Sequence, residues 1–423
     1  MPNDVRDANR RRLIATAGIG ALGWIARPRT ALAGLAVSAA QAAHPKHILV
    51  TVFLRGGADG LSLVAPYGDD QYYRSRPTLA IGAPSRAAGS LIRLDDRFGL
   101  HPSLAPLKKF YDTGQMAIIH ACGSGDQTRS HFEAMATMER GISRDTGPAN
   151  GWIARHLESA PWQNESPLRA IALGSLLPDS LRGAPTATAF SSVHDLKLTT
   201  DMPMGTLGMV RQLQALYGGN DVLGVAGREA VALLRKLESL PDTPAMSRTG
   251  AAYPADELGH GLQQAALLIK SDTGVEVACL DQGGYDTHVA QGAGGGQLAA
   301  RLDSLGKSIA AFAGDLGDAL WARTTVVVLS EFGRRLEENS GAGTDHGRAG
   351  VMFVLGGKGV AGGRIHGLWP GLAPEALEGP GDLRVTTDYR NVLGEVLSKR
   401  VGNSNINAVF PELAYRLMGV TTA

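Results

Sequence analysis

Five short runs of apolar residues constrain what this chain can fold into. They are Ile48–Leu54, Met116–Cys122, Leu168–Leu173, Val275–Leu280 and Thr324–Leu329. Continuous apolar runs of this length are typical of strands that are buried on both faces of a parallel sheet. Segments with helical apolar spacing alternate with the runs, and the clearest of these segments is 298–320. The pattern predicts an α/β fold, a mostly parallel sheet with helices on both faces.

One α/β domain is predicted over residues 43–423, a length that can bury a large core. Residues from about 200 to 270 interrupt the strand and helix alternation, because their apolar spacing is helical and a proline-rich link lies at 241–254. We interpret this part as a helical insertion in the domain.

The first 42 residues have the composition of a twin-arginine export signal. Arg10, Arg11 and Arg12 precede a mildly apolar run rich in glycine and alanine, and small residues follow, with a cleavage site expected between 33 and 43. The alternative is a basic segment before a membrane anchor, but the run is short and is interrupted by Trp24 and further arginines. We therefore expect a periplasmic or secreted protein that uses the twin-arginine export machinery, with no stable membrane span in the mature chain.

Overall composition excludes several classes of function. The formal net charge is +1 and charged residues make up 19% of the chain, which does not suit a nucleic-acid-binding or polybasic membrane-surface protein. No Walker A loop, G-x-S-x-G elbow or H-E-x-x-H motif occurs. The two cysteines, Cys122 and Cys279, each end an apolar run, and we favour two free, buried thiols over a disulfide, which export would also permit.

Polar side chains follow the predicted strands where each strand ends. Carboxylates, hydroxyls and histidines occur there at Asp59, Asp126, Thr128, Ser130, His131, Asp281, Asp286, His288, Glu331, Asp345 and His346. Ligands bind at the carboxyl ends of strands in open α/β sheets, and carboxylates with imidazoles suit one or two divalent metal ions. The predicted metal ligands are Asp59, Asp286, His288, Glu331, Asp345 and His346.

Each of these residues also has a purely structural interpretation. Asp59 and Asp286 lie in glycine-rich turns, which aspartate stabilises without any ligand. Glu331 is three residues from Arg334, with which it could form an ion pair. A catalytic dyad of Ser130 and His131 is not expected, because adjacent side chains on a helix do not face each other.

Five motifs, FLRGGADGLSLVAP, DQTRSHFEA, GGYDTH, SEFGR and TDHGRAG, resemble those of the DUF1501 family of exported bacterial proteins. Their order is the same over nearly the whole mature chain, from about 47 to 415. That family is grouped with the alkaline phosphatase-like fold, so the resemblance implies that fold. Phosphatases, sulfatases and phosphomutases of this superfamily use two metal ions and a serine, threonine or modified cysteine nucleophile.

The resemblance also implies roles for individual residues. Asp59 matches the metal-binding aspartate after the first strand, and His346 matches the late metal-binding histidine beside Asp345. Asp286 and His288 match an aspartate and histidine pair, although the superfamily usually spaces them four apart. Glu331 stands where an aspartate precedes a histidine, and Phe332 replaces that histidine.

These implications lead to one principal functional hypothesis and one alternative. The principal hypothesis is an exported hydrolase of small phosphate or sulfate esters that depends on divalent ions (Zn, Mn, Mg or Ca). Thr128 or Ser130 would be the nucleophile and Arg129 would steady the anion. The alternative is a non-catalytic exported binding or assembly protein that keeps the alkaline phosphatase-like fold, which the phenylalanine at 332 favours.

Overall fold

A computed structural model describes residues 47–422 apart from 144–146, 163, 165, 185, 198–204, 218–221, 242–249 and 251. The predicted export signal at 1–42 lies outside the described residues and stays a prediction. Among the described residues, no helix combines the length and apolar character needed to cross a membrane.

The main sheet is built from the predicted strands. Its principal strands are β1 (Ile48–Leu54), β2 (Met116–Gly123), β3 (Ala170–Leu173), β4 (Thr188–Phe190), β5 (Val277–Gln282), β6 (Thr324–Ser330), β9 (Gly350–Gly356) and β10 (Ile365–His366). Their spatial order is β10-β2-β9-β6-β1-β5-β3-β4, and Thr387–Asp388 also pairs with β2. All these pairings are parallel except those of β9, which runs antiparallel to both β2 and β6. The predicted α/β fold with a mostly parallel sheet is confirmed.

Helices cover both faces of the sheet. The longer helices are α1 (Ala105–Asp112), α2 (His131–Arg140), α3 (Trp152–Ser159), α4 (Gly205–Leu216), α5 (Val222–Glu238), α6 (Glu257–Lys270), α7 (Gln297–Ala322) and α8 (Tyr389–Glu395). Side chains alternate along each strand, so Val50 and Val52 pack with α6 and α7 on one face. Leu49 and Phe53 pack with α3 and α8 on the other face.

The segment predicted as a helical insertion contains two different kinds of helix. Helices α4 and α5 pack against each other, and their described side chains are largely half-buried or exposed. Helix α6, in contrast, is a main helix of the covering layer, since Leu262, Ala265, Ala266 and Leu268 are fully buried against the core.

The two cysteines are free and buried, as predicted. Cys122 lies at the end of β2 with its sulfur 3.3 Å from that of Met352, and Cys279 lies within β5. Burial raises the pKa of both thiols. Neither side chain therefore contributes a thiolate to a site.

An excursion between β6 and β9 returns to the edge it leaves. Strand β6 ends at Ser330, and β9 begins at Gly350 opposite Cys122, the last part of β2. Between them lies a short hairpin of β7 (Arg334–Glu338) and β8 (Thr344–His346), in which Arg334 is paired with His346. The antiparallel direction of β9 thus keeps this hairpin at the carboxyl ends of β1, β2, β5 and β6.

Candidate metal centre

The turn that follows β1 packs tightly against the rest of this edge. Gly56 and Gly57 have φ angles of +116° and +67°, a region that favours glycine. A Cβ atom on Gly56 would lie 2.5 Å from the backbone nitrogen of Asp286, and one on Gly57 would lie 2.5 Å from a ring carbon of Phe332. The RGGADG motif therefore reflects a close approach between β1 and the neighbouring loops.

Three imidazole rings converge on one carboxylate oxygen, Oδ1 of Asp286. The Nε2 atoms of His288, His346 and His131 lie 3.0, 3.1 and 3.4 Å from it. The Nε2 atoms of His288 and His346 are 2.8 Å apart. Asp286 and His288 come from the loop after β5, His131 begins α2 after β2, and His346 ends β8. The sheet edge thus gathers four donor atoms from three chain segments.

The far side of each ring is held by a hydrogen-bond acceptor. The Nδ1 atoms of His131, His288 and His346 lie 2.8 Å from Glu331 Oε1, 3.2 Å from Asp345 Oδ1 and 2.8 Å from the carbonyl oxygen of Arg129, respectively. A carbonyl or carboxylate oxygen can only accept, so each Nδ1 carries the hydrogen. We assign the tautomers from these partners, which leaves a lone pair on each Nε2 of the neutral rings.

Lone pairs that face one another at these distances require a cation between them. The Nε2 atom of His131 is buried and has no hydrogen-bond partner among the described residues. His288 and His346 place two acceptor nitrogens 2.8 Å apart, which only a shared proton or a metal ion can stabilise. Donors about 2.0–2.1 Å from a tetrahedral ion are about 3.3 Å from each other. The four atoms therefore fit a metal ion, and acceptors behind metal-bound histidines are the usual outer ligands of such sites.

A buried arginine balances the charge of Asp286. Arg334 has no exposed side-chain surface, and its Nη2 lies 2.6 Å from Asp286 Oδ1, while its Nε and Nη1 donate to the carbonyls of Gly57 and Thr344. Partial burial raises the pKa of Asp286, but the hydrogen bonds from Arg334 and His346 and the charge of Arg334 outweigh it and hold the pKa well below its ordinary value. Asp286 is therefore a carboxylate at neutral pH.

Glu331 and Asp345 lie behind the histidines rather than among the converging atoms. Glu331 Oε1 accepts from His131 and from the Gly56 amide at 2.8 Å, and Glu331 is fully buried. It makes no ion pair with Arg334, whose carboxylate partner is Asp286. Asp345 Oδ1 accepts from Asn339 as well as from His288, and these hydrogen bonds lower the pKa of Asp345. Both carboxylates thus orient imidazole rings.

Asp59 is held by a different partner. It is completely buried, and its two oxygens accept from Arg76 at 2.6 and 3.0 Å, with further hydrogen bonds from Ser62 and Gln291. Burial raises the pKa of Asp59, but the charge of Arg76 outweighs it, and the pKa lies below its ordinary value. The structure does not bring Asp59 into contact with the histidine cluster.

The three residues predicted for catalysis make contacts of different kinds. The Thr128 hydroxyl donates to Glu133 at 2.7 Å. Ser130 caps α2, and its hydroxyl makes no hydrogen bond to any described residue. Arg129 Nε lies 3.1 Å from Oδ2 of Asp382, so its guanidinium points at that buried carboxylate. Only the backbone carbonyl of Arg129 reaches the cluster, through His346.

Phe332 forms an apolar wall of the cluster. The ring is buried, and its centroid lies 4.9 Å from that of His131 and 5.0 Å from that of His346. It therefore supports two imidazoles at the position where the superfamily resemblance leads one to expect a histidine.

His131 is the site residue that the sequence-based ligand set omits. The sequence places it after β2, beside a serine with which it cannot form a dyad, and offers no reason to turn it towards Asp286. The available signal is the pairing of its motif with SEFGR, because Glu331 is the acceptor that orients the ring. A histidine and a carboxylate that end neighbouring segments of one sheet edge could have been tested as such a pair.

The family profile described as "Protein of unknown function (DUF1501)" matches residues 46–390, which is most of the chain. The chain is a member of the DUF1501 family. The match includes every residue of the cluster, so the resemblance drawn from the five motifs is confirmed. A search of the curated proteins finds no match to this DUF1501 protein.

Several solved structures show low overall similarity to this DUF1501 protein. The phosphonate monoester hydrolase of Agrobacterium radiobacter has a TM-score of 0.32 and 9% identity, covering 88% of this chain and 79% of its own. The lipoteichoic acid synthase LtaP from Listeria monocytogenes has a TM-score of 0.31 and 11% identity, covering 89% and 75%. The alkaline phosphatase from the Antarctic bacterium TAB5 has a TM-score of 0.28 and 12% identity, covering 75% and 92%.

Proposed function

We propose that this DUF1501 protein binds one divalent metal ion through His131, His288, His346 and Asp286. The convergence of three imidazole Nε2 lone pairs on one carboxylate oxygen carries the proposal. Among the ions expected from the sequence, zinc suits this donor set best, because imidazole nitrogen favours zinc while magnesium and calcium prefer oxygen ligands. Asp59 stays outside the proposed ligand set, and Glu331 and Asp345 are outer ligands.

The charges around the cluster favour an anionic ligand once the ion is bound. Arg129, Arg334 and Arg335 lie with four carboxylates, those of Asp286, Glu331, Asp345 and Asp382. With neutral histidines the local formal charge is −1, and a divalent ion would change it to +1. An anionic ester would then be attracted to the exposed side of the site.

We propose hydrolysis of phosphate or sulfate esters as the reaction. A bound divalent ion supplies Lewis-acid chemistry, since it polarises an ester oxygen and lowers the pKa of water. Arg334 keeps Asp286 ionised, and the three outer acceptors hold the histidine rings in place. Ser130 is the better candidate nucleophile of the two hydroxyls, because the Thr128 hydroxyl already donates to Glu133. Attack by water is the competing route.

Metal analysis followed by activity assays tests the proposal. Protein purified from its native export route is expected to contain about one divalent ion per chain, measured by mass spectrometry of the metal. His346→Ala should lose the ion, whereas His260→Ala, which alters an exposed histidine on α6, should retain it. The wild-type protein should hydrolyse at least one member of a panel of phosphate monoesters, phosphate diesters and sulfate esters. A metal-free wild-type protein would contradict the proposal.

The second candidate is a non-catalytic exported binding protein. Two observations favour it: the Thr128 hydroxyl is already bonded to Glu133, and Phe332 occupies the place expected for a second metal-binding histidine. In this case the metal-loaded protein would bind inorganic phosphate or sulfate and would hydrolyse no ester in the panel. Binding measured by calorimetry, with the turnover assay beside it, separates the two candidates.

We also propose export by the twin-arginine route, for which the support is the N-terminal sequence alone. Replacement of Arg11 and Arg12 together by lysine should leave the full chain in the cytoplasm with its N-terminal segment uncleaved. Cell fractionation and the mass of the mature chain measure both effects. Substitution of Arg27 and Arg29 by lysine is the matched control, and it should not prevent export.

A further inference from the structure

Arg335 presents hydrogen-bond donors that the described residues do not use. Its guanidinium is 3.7 Å from Asp345 Oδ2 and 3.8 Å from Asp382 Oδ1, which is too far for hydrogen bonds. Its Nε atom is buried without a hydrogen-bond partner. The neighbouring Arg334, in contrast, donates from all three nitrogens to backbone and carboxylate oxygens. Arg335 is about one-third exposed and lies beside the cluster, so it can receive an anionic group from solvent.

Two exposed apolar side chains flank the same cluster. Phe132 is 84% exposed and directly follows His131, and Val289 is 64% exposed and directly follows His288. The rings of those histidines meet at one oxygen of Asp286, whose side chain is itself 47% exposed. Single exposed apolar residues are ordinary, but two beside the ligands of one open site form an apolar border around it.

We propose that the substrate is an amphiphilic ester, with an anionic phosphate or sulfate group and an apolar alcohol portion of about the size of a phenyl ring. This inference rests on the proposed function and adds the substrate class. Arg335 contacts the anionic group beside the cluster, and Phe132 and Val289 contact the apolar portion. Charge attraction and apolar contact then fix opposite ends of one molecule, which orients the ester bond towards Asp286 and the histidines.

A pair of phosphonates tests the two halves separately. Methylphosphonate and phenylphosphonate carry the same anionic head, and ester hydrolysis cannot cleave their carbon–phosphorus bond. With purified, zinc-loaded protein, calorimetry is expected to give phenylphosphonate a Kd about tenfold lower than that of methylphosphonate, because its ring is partly removed from water. A double variant, Phe132→Ser with Val289→Ser, should bring the two Kd values together and leave the Kd of methylphosphonate unchanged.

Two further variants complete the test. Arg335→Met should raise both Kd values about tenfold and keep their ratio, because it removes only the contact to the anionic head. Leu417→Ser is the control: Leu417 is 60% exposed, and Gly419 and Thr421 beyond it contact Arg364 and Val360 near the opposite edge of the sheet. It should change neither Kd.

Each remaining outcome decides against the inference. Equal Kd values in the wild-type protein, or a ratio that survives the Phe132 and Val289 substitutions, would overturn the amphiphilic substrate and leave the proposed function standing. Binding of neither phosphonate to metal-loaded protein would overturn both.

Discussion

Glu331 Oε1 lies 2.8 Å from His131 Nδ1 and also accepts the amide hydrogen of Gly56. This carboxylate therefore links the turn after β1 to the imidazole that begins α2. Because both hydrogen bonds end on one oxygen, the position of the His131 ring depends on the ionised form of Glu331.

Glu331→Gln is expected to lower metal affinity by about 10- to 100-fold, the usual effect of losing an outer acceptor. An amide offers one acceptor where the carboxylate offers two, so one of its present hydrogen bonds is lost. Competition with a chromophoric chelator measures the affinity. Glu337→Gln alters an exposed carboxylate of β7 and should have no effect. Unchanged affinity in the Glu331 variant would show that the His131 ring is held by other contacts.

Ser130→Ala is expected to reduce kcat for the hydrolysed ester by at least about 100-fold if this hydroxyl is the nucleophile. Thr128→Val is the matched variant, and it should retain activity because the Thr128 hydroxyl is bonded to Glu133. Both should keep the metal, which provides a check on folding. Full activity in Ser130→Ala would assign the attack to water.

Asp59→Asn is expected to lower the free energy of unfolding by about 3–5 kcal/mol, because it leaves the buried charge of Arg76 without its partner. Metal content should not change, since Asp59 does not contact the cluster. Asp70→Asn removes an exposed ion pair with Arg74 and should cost less than about 1 kcal/mol. Chemical denaturation and metal analysis give the two quantities. Loss of the metal from stably folded Asp59→Asn protein would restore Asp59 as a ligand, as the sequence predicts.

The free energy of unfolding should fall as the pH decreases from about 6.5 to 4, with a contribution from His120. This side chain is buried in β2, its Nδ1 accepts from the Ala121 amide, and its Nε2 donates to the Val64 carbonyl. Burial lowers the pKa of His120 to about 4 from its model value of 6.5. Only the unfolded chain binds this proton within that window, so stability is full above pH 6.5 and is lost below it.

The loss attributable to His120 is about 1.4 kcal/mol for each pH unit in that window. Urea denaturation at pH values between 4 and 7.5 measures it. His120→Gln should reduce the slope by about one proton, while the exposed His260→Gln should leave the slope unchanged. An equal slope in the wild-type protein and His120→Gln would contradict the assignment.

The fold could be predicted because its strands are buried on both faces. The run from Ile48 to Leu54 is apolar along its whole length, and the structure places it at the middle of the sheet with every residue buried. The direction of β9 could not be predicted, because Val351–Leu355 has the same apolar character as its parallel neighbours. Hydrophobicity reports burial, whereas strand direction depends on the path of the connecting segment.

The site could be predicted in location and in part of its composition. Asp286, His288 and His346 meet where the carboxyl ends of the strands suggest. Sequence position does not show which carboxylate faces a ring nitrogen, so Glu331 and Asp345 are predicted as ligands although they lie behind the histidines. Asp59 follows β1 as expected, but Arg76, seventeen residues further along the chain, occupies both of its oxygens.

The antiparallel course of β9 has a consequence for how this family can diversify. Residues 331–349 leave the sheet after Ser330 and rejoin it at Gly350 at the same edge, so the segment between them spans no layer of the fold. Its tip, at exposed Ser340 and half-buried Gly341, can be lengthened or exchanged without a change in strand register. A DUF1501 chain can thereby acquire a new recognition loop beside an unchanged histidine cluster.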